Sequence, residues 1–556
     1  MKRNEAYGRL MAIGAALTST LILSACGGGA DKTGSSVFGD QYTKNDSDGS
    51  GSATPPSTSA AGPSSQFAQS CAPENLHADA LASRSSISTE KQWLRAYFDE
   101  AYLWREEVPS INANDAAFSG SDIYLSMNNY FQSLKTTATS PTGAQRDKFS
   151  FTMPTKEWDK LINSGVEGGY GLDWAIGSRT APRLIRISMV EAGSAAQLAG
   201  VQRGDLLLSV DGVSADTNEQ AGIDTLNEGL FPSQLGKLHR FEFQRVDGSS
   251  YSANLIPADV TKQPVPLAQV LPTTDGAKVG YLLFTDHIAT AEQPLIDAVN
   301  NFKQQGVSDL VLDVRYNGGG YIYLASELAY MIAGPQATQG QVFEQFTYNS
   351  RRSAETNSAS ARTGFYDQSC FLVGQQCSNS APLPSLDLKR IFVLTQSGTC
   401  SASEAIINGL RGVGVEVIQI GGTTCGKPYG FTAKDNCGIS YLPIEFKGVN
   451  AKGFGDYSDG FAPSTVDSAA AQVKGCAVPD DYKHALGQTQ EGQLSAALSY
   501  RLTGQCPALS FGQSQLLKAQ SSRSTIDGIG LKVREKSPAR SNRIALPTDR
   551  RMPAPT

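Results

Sequence analysis

Between residues 278 and 450, short apolar runs alternate with amphipathic stretches, and that alternation leaves few architectures open. Residues 279–284 read as a strand, 291–305 as a helix, and 309–314 (DLVLDV) as a buried strand. Residues 322–333 then read as a helix, 390–395 as a strand, 402–412 as a helix and 415–420 as a strand. Such a succession predicts an α/β layer structure with a largely parallel sheet, whose ligands sit at the strand ends. The whole chain, 556 residues, leaves room for further domains, at roughly 150 residues each. Its 40% hydrophobic content supplies large buried cores. A net charge of −6, from 47 basic and 53 acidic residues, argues against a nucleic-acid binder. A single apolar run, near the N-terminus, excludes a polytopic membrane protein.

That run is 10–23, behind Lys2, Arg3 and Arg9, and it ends in Leu23-Ser24-Ala25-Cys26-Gly27. Basic head, short apolar stretch and small residues before a cysteine resemble a bacterial lipoprotein signal. The resemblance implies lipidation of Cys26, with Gly27 favouring the periplasmic face of the outer membrane. Residues 27–70 begin with a stretch rich in Gly, Ser, Thr, Ala, Pro and Asp and predict a disordered tether. Residues 508–556 carry an excess of Lys and Arg with little apolar periodicity and predict a basic disordered tail. Eight cysteines remain after Cys26, an even number that suggests disulfides in an exported protein. Cys370 and Cys377 are close enough in sequence to close a small loop. Zinc-type CxxC pairs and His spacings are missing, so no metal is expected.

Residues 71–154 predict a small helical N-terminal domain. Trp93, Tyr97, Leu103 and Trp104 fall on one helix face, and Tyr124, Met127, Tyr130, Phe131 and Leu134 on another. Residues 155–258 hold the sequence EAGSAAQLAGVQRGD, followed by a strand and an Asp211-Gly212 turn. This resembles a PDZ domain of the protease-associated kind, with Ala195 where the family usually has proline. The resemblance implies a peptide-binding loop at Gly169, Tyr170, Gly171 and Leu172, which holds a polypeptide by its C-terminus. A closed groove acting only as a lid is the plain alternative.

Two segments of the α/β region carry chemistry. LVLDVRYNGGG (310–320) is a strand running into a glycine turn, and IFVLTQSGTCSASEAIINGLR (391–411) runs strand to helix through Ser401. A serine at that junction has helix N-terminal amides beside it, although a simple cap by Ser401 or Ser403 with Glu404 explains the same residues. Lys427, after the next strand in GGTTCGK, supplies a base that a serine nucleophile needs. These three segments behind a PDZ-like region resemble the C-terminal processing (tail-specific) serine peptidases over about residues 90–500. The resemblance implies a ClpP/crotonase-like α/β peptidase core at 259–507, within a multidomain α+β and α/β chain. It places the nucleophile on Ser401, the base on Lys427, and an Asn-x-Gly-Gly turn on Asn317, Gly319 and Gly320. It implies oxyanion donors at the backbone of Ala402, Gly319 and Gly320, with no cofactor. Phe431 stands where many family members have a glutamine, so another group must orient the lysine. Cys400 and Cys425 flank the pair, which suggests a disulfide bracing it, with each other or with Cys437. A Cys400 nucleophile and a Ser–His pair using His287 are inferior readings. The function expected is an envelope serine endopeptidase anchored by lipid and acting on proteins or peptides. The rivals are a catalytically silent PDZ scaffold and a crotonase-like acyl-transfer enzyme.

Overall fold

The computed structural model describes residues 62–140, 143–373, 376–378, 380–465, 471–508, 531, 533 and 543–545. The expected signal peptide (1–26) with Cys26, most of the tether and most of the basic tail lie outside the described residues. The tether nevertheless ends before residue 70. Ser64 donates through its backbone N and its Oγ to the Glu100 carboxylate at 2.7 and 2.6 Å, and Gln69 N donates to Asn436 Oδ1.

Seven strands form the central sheet, in the order 267–272, 278–283, 309–313, 390–395, 416–421, 472–477 and 462–464. The first pair is antiparallel and every other pair is parallel. Side chains alternate between its faces, as a strand's two-residue period requires. Leu310 and Leu312 face one core, together with helices Glu292–Gln305, Ile322–Ala333 and Ala402–Gly412. Val311 faces another, with Leu494 and Ala497 of helix Gly492–Thr503. Helix Ile322–Ala333 is buried on every side except at Tyr330, which explains its almost wholly apolar sequence.

The N-terminal helices share the first core rather than forming one of their own. Helix Ile87–Ala101, capped by Ser86, and helix Ile123–Leu134, capped by Asp122, meet through Phe98 and Phe131 at 5.1 Å. Trp93 packs on Tyr441 of the α/β region at 5.0 Å. The Cys71–Cys437 disulfide and pairing of strand Phe151–Pro154 with Ile439–Leu442 join the two regions covalently and through the backbone. Leu103 and Trp104 lie beyond the first helix, and Trp104 packs edge-on against Tyr429.

A separate core belongs to the sheet ordered 250–255, 239–244, 206–210, 185–190 and 172–176, which is antiparallel throughout. Helix Thr155–Ser164, which the sequence groups with it, instead buries Trp158, Leu161 and Ile162 in the first core. A short helix follows at Ala195–Leu198, with Ser194 as its cap. Arg203 links this unit to the body that carries the seven-stranded sheet. It donates to Asp480 Oδ1 at 2.7 Å, and Asp480 also accepts from Arg315 at 2.9 Å. Arg315 is fully buried among Asp313, Asp480 and Glu491. Burial alone would raise the Asp480 carboxyl, but Arg203 and Arg315 hold it at about 2.

Removing one partner of a buried ion network leaves the others desolvated without compensation. Arg315→Met strands the Asp313 and Glu491 carboxylates, and the urea unfolding midpoint should fall by the equivalent of about 3–5 kcal/mol. An unchanged midpoint would contradict this account of the junction.

Candidate active site

Three neighbouring parallel strands, Asp309–Asp313, Arg390–Thr395 and Glu416–Gly421, deliver the singled-out segments from their C-terminal ends. The first leads into Asn317–Gly320, the second into Ser401 and the third into Lys427. Parallel strands point their ends the same way, so residues more than a hundred positions apart in sequence converge on one sheet edge.

Ser401 is buried and stands at the N-terminal cap of helix Ala402–Gly412 with φ 63° and ψ −109°. Positive φ is costly for a residue with a Cβ, so the surroundings must hold it there. Its backbone N donates to Glu404 Oε2 at 2.8 Å. The same oxygen accepts from Lys427 N at 2.8 Å. Glu404 Oε1 accepts from Gly426 N at 2.8 Å and from Thr424 Oγ1 at 2.5 Å. One carboxylate therefore pins the backbones of both residues. A disulfide between Cys400 and Cys425, with Cα atoms 5.1 Å apart, ties the same two loops again. Of the partners the sequence left open, it is Cys425 that joins Cys400, while Cys437 pairs with Cys71. Burial pushes the Glu404 carboxyl above the usual carboxylate range, while its donors on Thr424, Lys427, Ser401 and Gly426 oppose the shift.

The Ser401 hydroxyl is buried and has no hydrogen-bond partner among the described residues. The Lys427 side chain is fully buried, and its Nζ lies 4.7 Å from the Phe431 ring and 5.1 Å from the Phe149 ring. Phe431, in the place of the expected glutamine, thus forms an apolar wall for the amine. Phe149 comes from the strand-bearing N-terminal segment, and no sequence pattern marked it. Glu404 was visible only as a helix-cap partner, and its bonds to residues 424–427 were not.

The glycine turn is fixed by Asn317. Its Oδ1 accepts from Gly319 N at 2.9 Å and pairs with His287 Nδ1 at 3.0 Å, while its Nδ2 donates to Phe284 O. Gly319 N, one of the expected oxyanion donors, is thereby engaged by the Asn317 side chain. Gly320 has φ 138°, and a Cβ there would stand 2.2 Å from His287 O. Ser403, two residues on from Ser401, donates its hydroxyl to Asn317 O at 3.1 Å. His287 is bound to this turn and not to Ser401, which disfavours the Ser–His reading. Desolvation pushes its imidazole down to about 3, although its bonds to Asn317 and Gly319 oppose the shift.

In the smaller sheet, Tyr170 O and Gly171 O accept from Ala196 N and Glu191 N, which fixes the loop expected to bind peptide. Tyr170 is buried against Phe241, Leu172 begins the edge strand Leu172–Ile176, and Gly169 has open space beside its Cα.

An α/β domain that gathers a buried serine and lysine at its strand ends, beside a PDZ fold, is the class these features define. Family models agree: residues 278–434 match peptidase family S41, 186–222 a PDZ domain, and 89–151 the peptidase S41 N-terminal domain. The chain is 27% identical over 277 residues to a carboxyl-terminal-processing protease of Picosynechococcus sp., covering 48% of this chain and 56% of that protein. It is 25% identical over 292 residues to carboxyl-terminal-processing peptidase 3, chloroplastic, of Arabidopsis thaliana, covering 50% of each. The chain thus spans about half the length of these curated relatives. An S41 protease structure from Bacteroides fragilis shares the fold, with a TM-score of 0.52 and 22% identity over 74% of this chain and 97% of that one.

The unfolded chain protonates His287 below about pH 6.5, whereas the folded chain does so only near pH 3. Its contribution to stability is therefore complete above pH 6.5 and is lost as the pH falls toward 3. Between pH 6.5 and 4.5 this residue should cost the wild type roughly 2 kcal/mol, and His287→Gln should remove that part of the acid slope. Identical pH slopes in denaturant melts of the two proteins would refute it.

Proposed function

We propose that this chain is a serine endopeptidase that cleaves polypeptides through Ser401 and Lys427. The observation that carries the reading is the Glu404 carboxylate, which holds both backbones while the Ser401 hydroxyl stays unpartnered at a helix N-terminus. The Lys427 amine is buried beside two rings, close to the serine loop, and a lysine accepts the serine proton as a general base when its amine is neutral.

Ser401 Oγ attacks the scissile carbonyl carbon as Lys427 Nζ takes its proton. The carbonyl oxygen becomes an oxyanion held by the amides of Gly320 and Ala402, the latter at the positive end of its helix. The tetrahedral adduct collapses, the ammonium of Lys427 protonates the leaving amine, and an acyl-enzyme remains. Lys427 then deprotonates a water, which attacks the ester and regenerates Ser401. Glu404 acts by position, since its oxygens are occupied by amide and hydroxyl donors.

The PDZ unit recruits the polypeptide by adding it to a sheet edge near Gly169–Leu172, with its C-terminus on the loop amides. Cys26 carries the lipid that holds the enzyme to the periplasmic face of the outer membrane. Four disulfides among the described residues, taking up all eight other cysteines, support an oxidising compartment. No helix among the described residues is long and apolar enough to cross a membrane.

Wild type should cleave β-casein, and Ser401→Ala and Lys427→Ala should each lower kcat by about 10³-fold or more. Cleavage retained by either variant would sink the dyad. Inactive wild type against several unfolded proteins would favour the silent scaffold.

A further inference from the structure

The end of the chain, read from sequence as a disordered tail, touches the folded body at two functional places. At the PDZ unit, Val533 N donates to Arg179 O at 3.2 Å, and Arg179 Nε donates back to Val533 O at 2.8 Å. Arg183 donates to Leu531 O at 2.6 Å. The Val533 side chain is fully buried in the PDZ core, and Leu531 packs against that core.

Ten residues further on, Arg543–Ile544 forms a strand parallel to Gly320–Tyr321. Ile544 also bridges in parallel to Phe431, and Ala545 N donates to Phe431 O at 3.1 Å. Ile544 is 3% exposed. The segment is therefore paired on both edges, and both edges belong to the candidate site. One carries the Gly320 amide, and the other carries the ring beside the Lys427 amine.

A slot that pairs an extended backbone on two sides, next to a nucleophile, is a track for a polypeptide. A segment tethered to the same molecule competes for such a track at an effective concentration in the millimolar range for short flexible linkers. We propose that Leu531, Val533 and Arg543–Ala545 act as an intramolecular peptide ligand that occludes the enzyme. They fill the track between Gly320–Tyr321 and Phe431 while holding the PDZ unit through Leu531 and Val533. An external polypeptide must displace them, and it presents an aliphatic side chain where Ile544 now sits. The inference rests on reading this cleft as a peptidase site.

The test uses the full chain. Ile544→Asp puts a charge in the buried slot, and Ala545→Pro removes the N–H given to Phe431 without adding one. Ile544→Val is the conservative control. A fluorescein-labelled peptide of residues 529–548 is titrated by anisotropy against each variant in a Ser401→Ala background. β-Casein cleavage is measured with Ser401 intact. Ile544→Asp and Ala545→Pro should bind the peptide about tenfold more tightly than wild type and raise kcat/KM by a similar factor, mainly through KM, while Ile544→Val matches wild type. Equal peptide binding by all four chains, or binding by none, would overturn the proposal. Tighter binding without casein cleavage by any chain would retain self-occlusion and refute the peptidase reading. Cleavage with equal peptide binding would do the reverse.

Discussion

A single buried carboxylate, that of Glu404, accepts the amides of Ser401, Gly426 and Lys427 and the hydroxyl of Thr424. Taking a carboxylate out of water is expensive unless its lone pairs are filled, and here four donors fill them. The arrangement works in both directions. The donors make the buried acid tolerable, and the acid fixes the two loops that bear the serine and the lysine. The Cys400–Cys425 disulfide restrains the same loops covalently. Ser401 can then be kept in a backbone conformation whose intrinsic cost is on the order of 1–3 kcal/mol.

The remainder of the fold places that carboxylate. Two parallel strands bring residues 401 and 427 to one sheet edge, and a third brings the Asn317 turn beside them. The helix that Glu404 begins is buried at all positions except Arg411, so its N-terminus cannot shift without disturbing the core. From the N-terminal region Phe149 closes the side of the lysine pocket, which makes that region part of the site's wall as well as of the shared core. Through Arg203, Asp480 and Arg315, the PDZ unit is connected to the strand that leads into the Asn317 turn.

Much of this was legible in sequence where the signal was local. Alternating strands and helices at 278–420 and the helix beginning near Ala402 follow from periodicity and capping residues. The Ser401 and Lys427 segments stood out because small residues at strand ends carry chemistry. Contacts across the fold were not legible. Glu404 looks like an ordinary cap partner until the next strand returns residues 424–427 to it. Gly319 looks like an oxyanion donor, and nothing local shows that the Asn317 side chain engages its amide. Helix Thr155–Ser164 reads as part of the following domain because sequence neighbours say nothing of which core an apolar face joins. Arg543–Ile544 was not legible because its strand comes from pairing with the distant Gly320–Tyr321 and not from a pattern of its own.

The central claim is that the Glu404 carboxylate sets the reactivity of Ser401 through backbone geometry. Glu404→Gln keeps the size of the side chain but replaces one acceptor oxygen with an NH₂ that faces amide donors. The rate at which a fluorophosphonate labels Ser401, measured by mass spectrometry on wild type and Glu404→Gln of equal thermal stability, tests this directly. The account predicts labelling of wild type at Ser401 and a loss of about a hundredfold or more in the variant. Equal labelling rates in the two proteins would contradict it.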